Sequence, residues 1–209
     1  MLKTINVYDI NWKKVNNMVP VIVQHNISGE VLMHGFMNQQ AFLATQNENY
    51  VTFYSRTKKR LWKKGETSKN YLRVVNMILD CDQDALLILV IPKGNTCHLN
   101  NVSCFKSFVS DLTFFYHLEN FLKSKKLYSS ETSYTSSLHN IGVNRISQKV
   151  AEEASETVIA AVTKNKVEFI NEATDLIYHL LVLLHHYDLD FSTIIANLRK
   201  RRNHESNVA

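Results

Sequence analysis

The chain is poor in cysteine and glycine, and it contains no long apolar run. Its three cysteines cannot close a set of disulfides, so a disulfide scaffold is excluded. Free thiols or a metal site remain, in a reducing compartment. Apolar runs such as Leu180 to Leu184 are far too short to span a bilayer. The first residues, through Asn17, lack an apolar core of signal-peptide length. A soluble cytoplasmic protein with no membrane partner is therefore expected. There is no internal repeat, low-complexity tract or long flexible linker. The formal net charge of +5 mildly favours anionic partners without choosing among phosphorylated metabolites, nucleic acid and acidic membrane.

Two periodicities divide what is there. In the first half, short β-rich runs alternate with turn signals. Val19 to His25 and Val31 to Met37, separated by Ser28-Gly29, read as a hairpin. Asn38 is an N-cap candidate for a short helix through Ala44. Val51 to Ser55, Leu72 to Leu79 and Leu86 to Ile91 read as further strands, the last stopped by Pro92 and Gly94. In the second half the apolar residues recur three and four apart. The spacing predicts helices over Leu112 to Lys125, Val143 to Thr163, Val167 to Tyr187 and Ser192 to Arg201. Tyr128 to Ser137, rich in Ser and Thr, reads as an ordered loop. The expected class is α+β: a strand-rich mixed domain over 1–108, then an all-α helical bundle over 109–209.

Metal ligands concentrate in two places. All three cysteines, Cys81, Cys97 and Cys104, stand near the alternating acids Asp80, Asp82 and Asp84. Three thiolates suit a zinc ion that keeps a fourth position for water, and carboxylates suit magnesium or calcium. If Met77 to Asp84 is extended, the three aspartates share one face and Cys81 lies on the other. His98, beside Cys97, is a candidate proton shuttle. Equally, it is an ordinary surface histidine, and the cysteines taken singly are more often small buried hydrophobes. Between strands, the segment Ser55 to Ser68 carries Arg56, Lys63, Thr67 and Ser68. Cations and hydroxyls of this kind fit a phosphate or a flat base, although a solvated basic loop or an RNA patch has the same composition.

The second place is helical. Glu152, Glu153 and Glu156 share a broad face with Arg145 and Lys149, and Glu172 and Asp175 lie together on the next helix. Antiparallel packing of the two helices gathers these acids, which is costly without a divalent cation. The run Leu176 to Leu184 is apolar nearly all round and predicts burial in a bundle or a dimer.

With these residues in view, the chain resembles the bifunctional histidine biosynthesis family that joins a phosphoribosyl-AMP cyclohydrolase to a phosphoribosyl-ATP pyrophosphatase. The likeness rests on VPVIVQ, SRTKKRLWKKGETS, DCDQD and the pieces around Cys97 and Cys104 in the first half. In the second half it rests on Glu131 to Thr135, the helix from Lys149 to Glu156, and Asn171 to Asp175. The resemblance implies two hydrolyses of nucleotide substrates. It implies Zn2+ on Cys81, Cys97 and Cys104, with ligands drawn from two subunits of a homodimer. It also implies Mg2+ on Asp80, Asp82 and Asp84, and on Glu152, Glu153, Glu156, Glu172 and Asp175. Glu153 and Glu156 become catalytic candidates, and Arg145 and Lys149 become phosphate contacts. Two departures stand out: Lys69 where the family pattern has a glycine, and Leu99-Asn100-Asn101 in a loop that is usually more glycine-rich. Under this reading the basic segment serves a small nucleotide, with no nucleic-acid partner.

Overall fold

A computed structural model describes residues 5–105, 110–127 and 133–206. The chain divides into two compact units, Met1–Phe114 and Phe115–Ala209. Each has its own hydrophobic core. The boundary expected at 108/109 falls among residues 106–109, outside the described residues.

The first unit is built on strands β1 (Val19–His25), β2 (Val31–Met37), β3 (Thr52–Ser55), β4 (Arg60–Lys63), β5 (Leu72–Leu79) and β6 (Leu86–Pro92), with helix α1 (Gln39–Glu48). β1 and β2 form the expected antiparallel hairpin. The sheet order is β2-β1-β6-β5, with β1 and β6 parallel and β5 antiparallel to β6. Strand alternation sets the core, since Val19, Val21 and Val23 of β1 are wholly buried while Ile22 faces out. Phe42, Phe53, Leu32, Leu72 and Ile88 fill the same core. Asn38 caps α1 as predicted, its side chain accepting from the Ala41 N–H at 2.9 Å. The basic segment is not one loop. Its residues Arg60–Lys63 pair with β3 as strand β4.

The second unit is helical, with α2 (Asp111–Leu127), α3 (Tyr134–Ile141), α4 (Val143–Val162), α5 (Lys166–His186) and α6 (Phe191–Ser206). Asp111 to Phe114 of α2 fall in the first unit. The expected Ser/Thr-rich loop is only partly testable, because 128–132 lie outside the described residues. From Tyr134 onward that segment is helix α3. Ser133 explains the difference: its hydroxyl accepts from the Ser136 N–H, which makes the hydroxyl-rich stretch a helix start. Two antiparallel-compatible helices, α4 and α5, are joined by a short turn through Lys164 (φ 58°). On α4 the buried residues are Ile146, Glu153 and Ala160, seven apart and so on one stripe. A carboxylate therefore lies in the middle of a buried face.

The α5–α6 turn is held from α2 at both of its helix ends. Lys126 donates to the carbonyls of His185 (2.9 Å) and His186 (3.2 Å) at the end of α5. Glu119 accepts from the Phe191 N–H at the start of α6, at 2.5 Å. A cation at the one end and an anion at the other complement the helix dipoles.

Scarcity of glycine shows in the backbone. Left-handed φ is adopted by Asn16, Asn17, Asn49, Lys59, Lys69, Gln83, Asn100, Lys164 and Asp188. Lys69 (φ 62°) is where the family resemblance implies glycine, and Asn100 (φ 61°) lies in the Leu99-Asn100-Asn101 loop that is usually more glycine-rich. The turns keep their shape on other residues. Asn tolerates this region because its short side chain bonds locally, whereas Lys has no such compensation. Gly65 (φ 94°) is not replaceable in this way, because a Cβ there would lie 2.7 Å from the Asn70 backbone. Lys69→Gly is accordingly expected to stabilise the first unit by about 1 kcal/mol, read as a higher urea midpoint with unchanged slope.

Candidate functional site

The first unit places its acids on a turn. β5 ends at Leu79, and residues 80–84 form the β5–β6 connection, with Gln83 at φ 65°. The extended geometry with Cys81 on an opposite face therefore does not hold. The reason is local: the Asp80 carboxylate accepts from the N–H groups of Asp84 and Ala85, both at 3.0 Å, and this closes the turn. The turn still converges the acids, since oxygens of Asp80, Asp82 and Asp84 lie within 4.8 Å of one another. Lys14 binds both Asp82 and Asp84, the latter at 2.5 Å. Those two carboxylates raise the Lys14 ammonium, and Lys14 in turn holds Asp82 below the usual carboxylate range.

Cys97 and Cys104 meet. Burial pushes the Cys104 thiol up, and the neighbouring Cys97 pushes it further. Cys97 is buried in a tight loop that is closed by its carbonyl accepting from Asn100 N–H and its N–H donating to Asn101 carbonyl, each at 3.0 Å. Cys104 is hung on β2 through its N–H to the Leu32 carbonyl at 2.8 Å. Within one chain Cys81 does not join them, as the three thiols form no cluster of the kind the aspartates do. His98 is exposed, with Nδ1 4.0 Å from the Cys97 sulfur.

The basic segment separates by role. The Arg56 guanidinium lies 3.7 Å over the Phe36 ring. Lys63 pairs with Glu48. Thr67 and Ser68 are exposed. Lys64, which sequence reasoning passed over, is buried beside the two thiols. Burial pushes its ammonium down, and the Cys104 and Cys97 sulfurs oppose that. In the sequence it is one of several adjacent cations, and only burial distinguishes it.

In the second unit, α4 and α5 bring Glu153, Glu156 and Glu172 together, with oxygens within 4.8 Å of one another. Burial raises the Glu172 carboxyl, and Glu156 and Glu153 raise it further. Burial also opposes charge on Glu153, but the Lys149 ammonium at 2.5 Å prevails and its pKa falls. Glu152 points to Lys149 (3.1 Å) and Arg145 (3.6 Å) instead of joining the trio. Asp175 lies with Glu153 and Lys149 around a pocket of about 340 Å³ whose other walls are Tyr134, Tyr178 and His179. His179 is buried, 2.9 Å from the Asp175 carbonyl, 3.8 Å from Glu153 and 3.0 Å from the Tyr134 hydroxyl. These two aromatic residues were absent from the sequence-based site. His179 sits within an apolar run, which disguises it as core.

These donor sets suit different ions. Adjacent sulfurs favour a soft borderline cation such as zinc, and converging carboxylates favour a hard one. Because Glu172 is raised by its neighbours, the fold is favoured while that carboxyl stays protonated, and the advantage is lost as pH rises through its folded pKa. In chelator-treated protein at pH 7, Glu156→Gln is expected to raise the melting temperature of the second unit. Added Mg2+ should then stabilise the parent protein more than the variant.

Comparison with known proteins gives two family matches. A phosphoribosyl-AMP cyclohydrolase model matches residues 33–106, and a phosphoribosyl-ATP pyrophosphohydrolase model matches residues 115–202. The chain is 66% identical over 203 residues to the histidine biosynthesis bifunctional protein HisIE of Buchnera aphidicola subsp. Baizongia pistaciae, covering 97% of this chain and 98% of that one. It is 53% identical to the protein of the same name from Yersinia pestis, over 96% and 98% of the two chains. With that of Escherichia coli O157:H7 the identity is 52%, over 92% and 95%.

Proposed function

This chain belongs to the bifunctional histidine biosynthesis family of those relatives, and we propose that its two ligand clusters are the seats of the family's two hydrolyses. The C-terminal unit converts phosphoribosyl-ATP to phosphoribosyl-AMP and pyrophosphate. The N-terminal unit then opens the adenine ring of phosphoribosyl-AMP between N1 and C6. The observation that supports this placement best is that each matched segment holds one group of three carboxylates within 4.8 Å.

In the second unit, Glu153, Glu156 and Glu172, with Asp175 and Glu152 flanking, would hold Mg2+ against the triphosphate. An ion held there would neutralise phosphate charge and lower the pKa of water. Lys149 binds Glu152 and Glu153, and in doing so keeps Glu153 ionised and able to accept a proton from the attacking water. Arg145, 3.6 Å from Glu152, adds positive charge for phosphate oxygens.

In the first unit, Cys97 and Cys104 would hold Zn2+, and Asp80, Asp82 and Asp84 would hold Mg2+. Zinc held there would lower the pKa of water toward neutrality. Water adds at C6 and the C6–N1 bond breaks, with His98 beside Cys97 placed to pass the proton. Arg56, Lys63, Thr67 and Ser68 provide cations and hydroxyls for the phosphates of the substrate. Cys81 completes the zinc set from a second subunit, so the protein is a homodimer. Exposed Val158, Ile159 and Val162 on α4, with Val167 and Ile170 on α5, supply apolar surface for such pairing. Free thiolate ligands keep best in reducing surroundings, which supports a cytoplasmic location. No helix among the described residues is long and apolar enough to cross a membrane.

The test is incubation of purified protein with phosphoribosyl-ATP while following pyrophosphate release and the ring-opening absorbance change. Cys97→Ala should lower ring opening by at least about 100-fold, beyond what loss of an outer partner does, and leave pyrophosphate release intact. Glu153→Gln should do the reverse when phosphoribosyl-AMP is supplied for the second assay. Elemental analysis should find zinc in the parent protein and little in Cys97→Ala.

A further inference from the structure

The pocket beside the glutamates has one wall with a fixed hydrogen-bond direction. His179 Nδ1 is 2.9 Å from the Asp175 carbonyl oxygen and 3.8 Å from a Glu153 carboxylate oxygen. Both neighbours are acceptors, so Nδ1 carries the proton. As the neutral ring protonated on Nδ1, His179 accepts at Nε2. The Tyr134 hydroxyl, 3.0 Å from Nε2, therefore donates to the ring, and its single proton is committed. What Tyr134 offers the pocket is lone pairs alone. Its neighbour Tyr178 is engaged elsewhere, its hydroxyl 2.6 Å from Thr135 Oγ1. Tyr134 itself is 54% exposed and lines the pocket, so its oxygen can be reached from solution.

A phosphate carries only acceptors and is not recognised by such an oxygen. The groups of a nucleotide that donate are its sugar hydroxyls and its base amine. Elsewhere in the pocket lining, Lys149 and the carboxylates already supply what phosphates and cations need. We propose that Tyr134, oriented by His179, contacts the substrate and accepts a hydrogen bond from a ribose hydroxyl of the nucleotide. This rests on the C-terminal unit being the pyrophosphohydrolase. It assigns the sugar to the α3 side of the pocket and the phosphates to the α4 side. His179 is a positioning residue: it ties α3 to α5 and to Glu153 of α4, and sets which way the phenol points.

The experiment uses the full chain and reads pyrophosphate release, with AMP, 2′,3′-dideoxy-AMP and pyrophosphate as competitive inhibitors. In the parent protein AMP should inhibit more strongly than its dideoxy analogue. Tyr134→Phe should raise KM and the AMP inhibition constant about fivefold, the scale of one neutral hydrogen bond. In that variant AMP and dideoxy-AMP should become equal, while kcat and pyrophosphate inhibition stay put. Because the phenol also bonds buried His179, the variant should melt a few degrees lower. If discrimination between the two nucleotides survives in Tyr134→Phe, the assignment fails. It fails also if pyrophosphate inhibition weakens equally, or if kcat falls with AMP inhibition unchanged, which would assign the hydroxyl to a water on the cation. A parent protein that releases no pyrophosphate at all would instead overturn the underlying pyrophosphohydrolase reading, a result visible before any variant is made.

Discussion

Repulsion between gathered carboxylates is the constraint on which both sites turn. Each unit brings three acids within 4.8 Å of one another, and each counters them with one lysine. Lys14 spans Asp82 and Asp84, and Lys149 spans Glu152 and Glu153. The two solutions differ in depth. Asp80 and Asp82 are exposed, and water screens them, whereas Glu153 is 4% exposed in the middle of a helix's buried stripe. A buried carboxylate without a partner is among the costliest groups a fold can carry. Lys149 thus settles whether α4 and α5 can pack at all, and the chemistry inherits its geometry from that packing.

The chain divides its chemistry by element. Sulfur sits in the strand-rich unit, where attack is on a ring carbon and the nucleophile must be strong. Carboxylates gather in both units, and in the helical one they stand without sulfur. Neither arrangement borrows residues from the other along the sequence, and each unit has a core of its own. The product of the second unit is the substrate of the first, so one polypeptide supplies both activities in equal amounts.

Much of this is legible in the sequence, because it depends on period and spacing. Val19, Val21 and Val23 alternate with outward-facing residues, and α4 and α5 carry their acids at helical intervals. Asn38 announces the helix it caps. What is not legible depends on what folding buries or brings near. Lys64 is one cation among several until Gly65 and the turn behind it bury it beside Cys97 and Cys104. His179 lies inside an apolar run, and nothing local says that it faces Glu153 on one helix and Tyr134 on another. The aspartates alternate like a strand, yet Asp80 closes a turn by accepting two N–H groups, a local competition that period cannot register. Ser133 misleads in the opposite direction, since a hydroxyl-rich stretch suggests a loop and this serine within it starts a helix.

The left-handed positions held by Asn and Lys have an effect in the unfolded ensemble. A glycine at Lys69 or Asn100 would relieve the native backbone, but it would also enlarge the number of conformations the disordered chain explores. By carrying side chains there, these two connections start with fewer alternatives to lose. They trade local discomfort for stiffness, and a stiff connection gives up less freedom when anything binds against it.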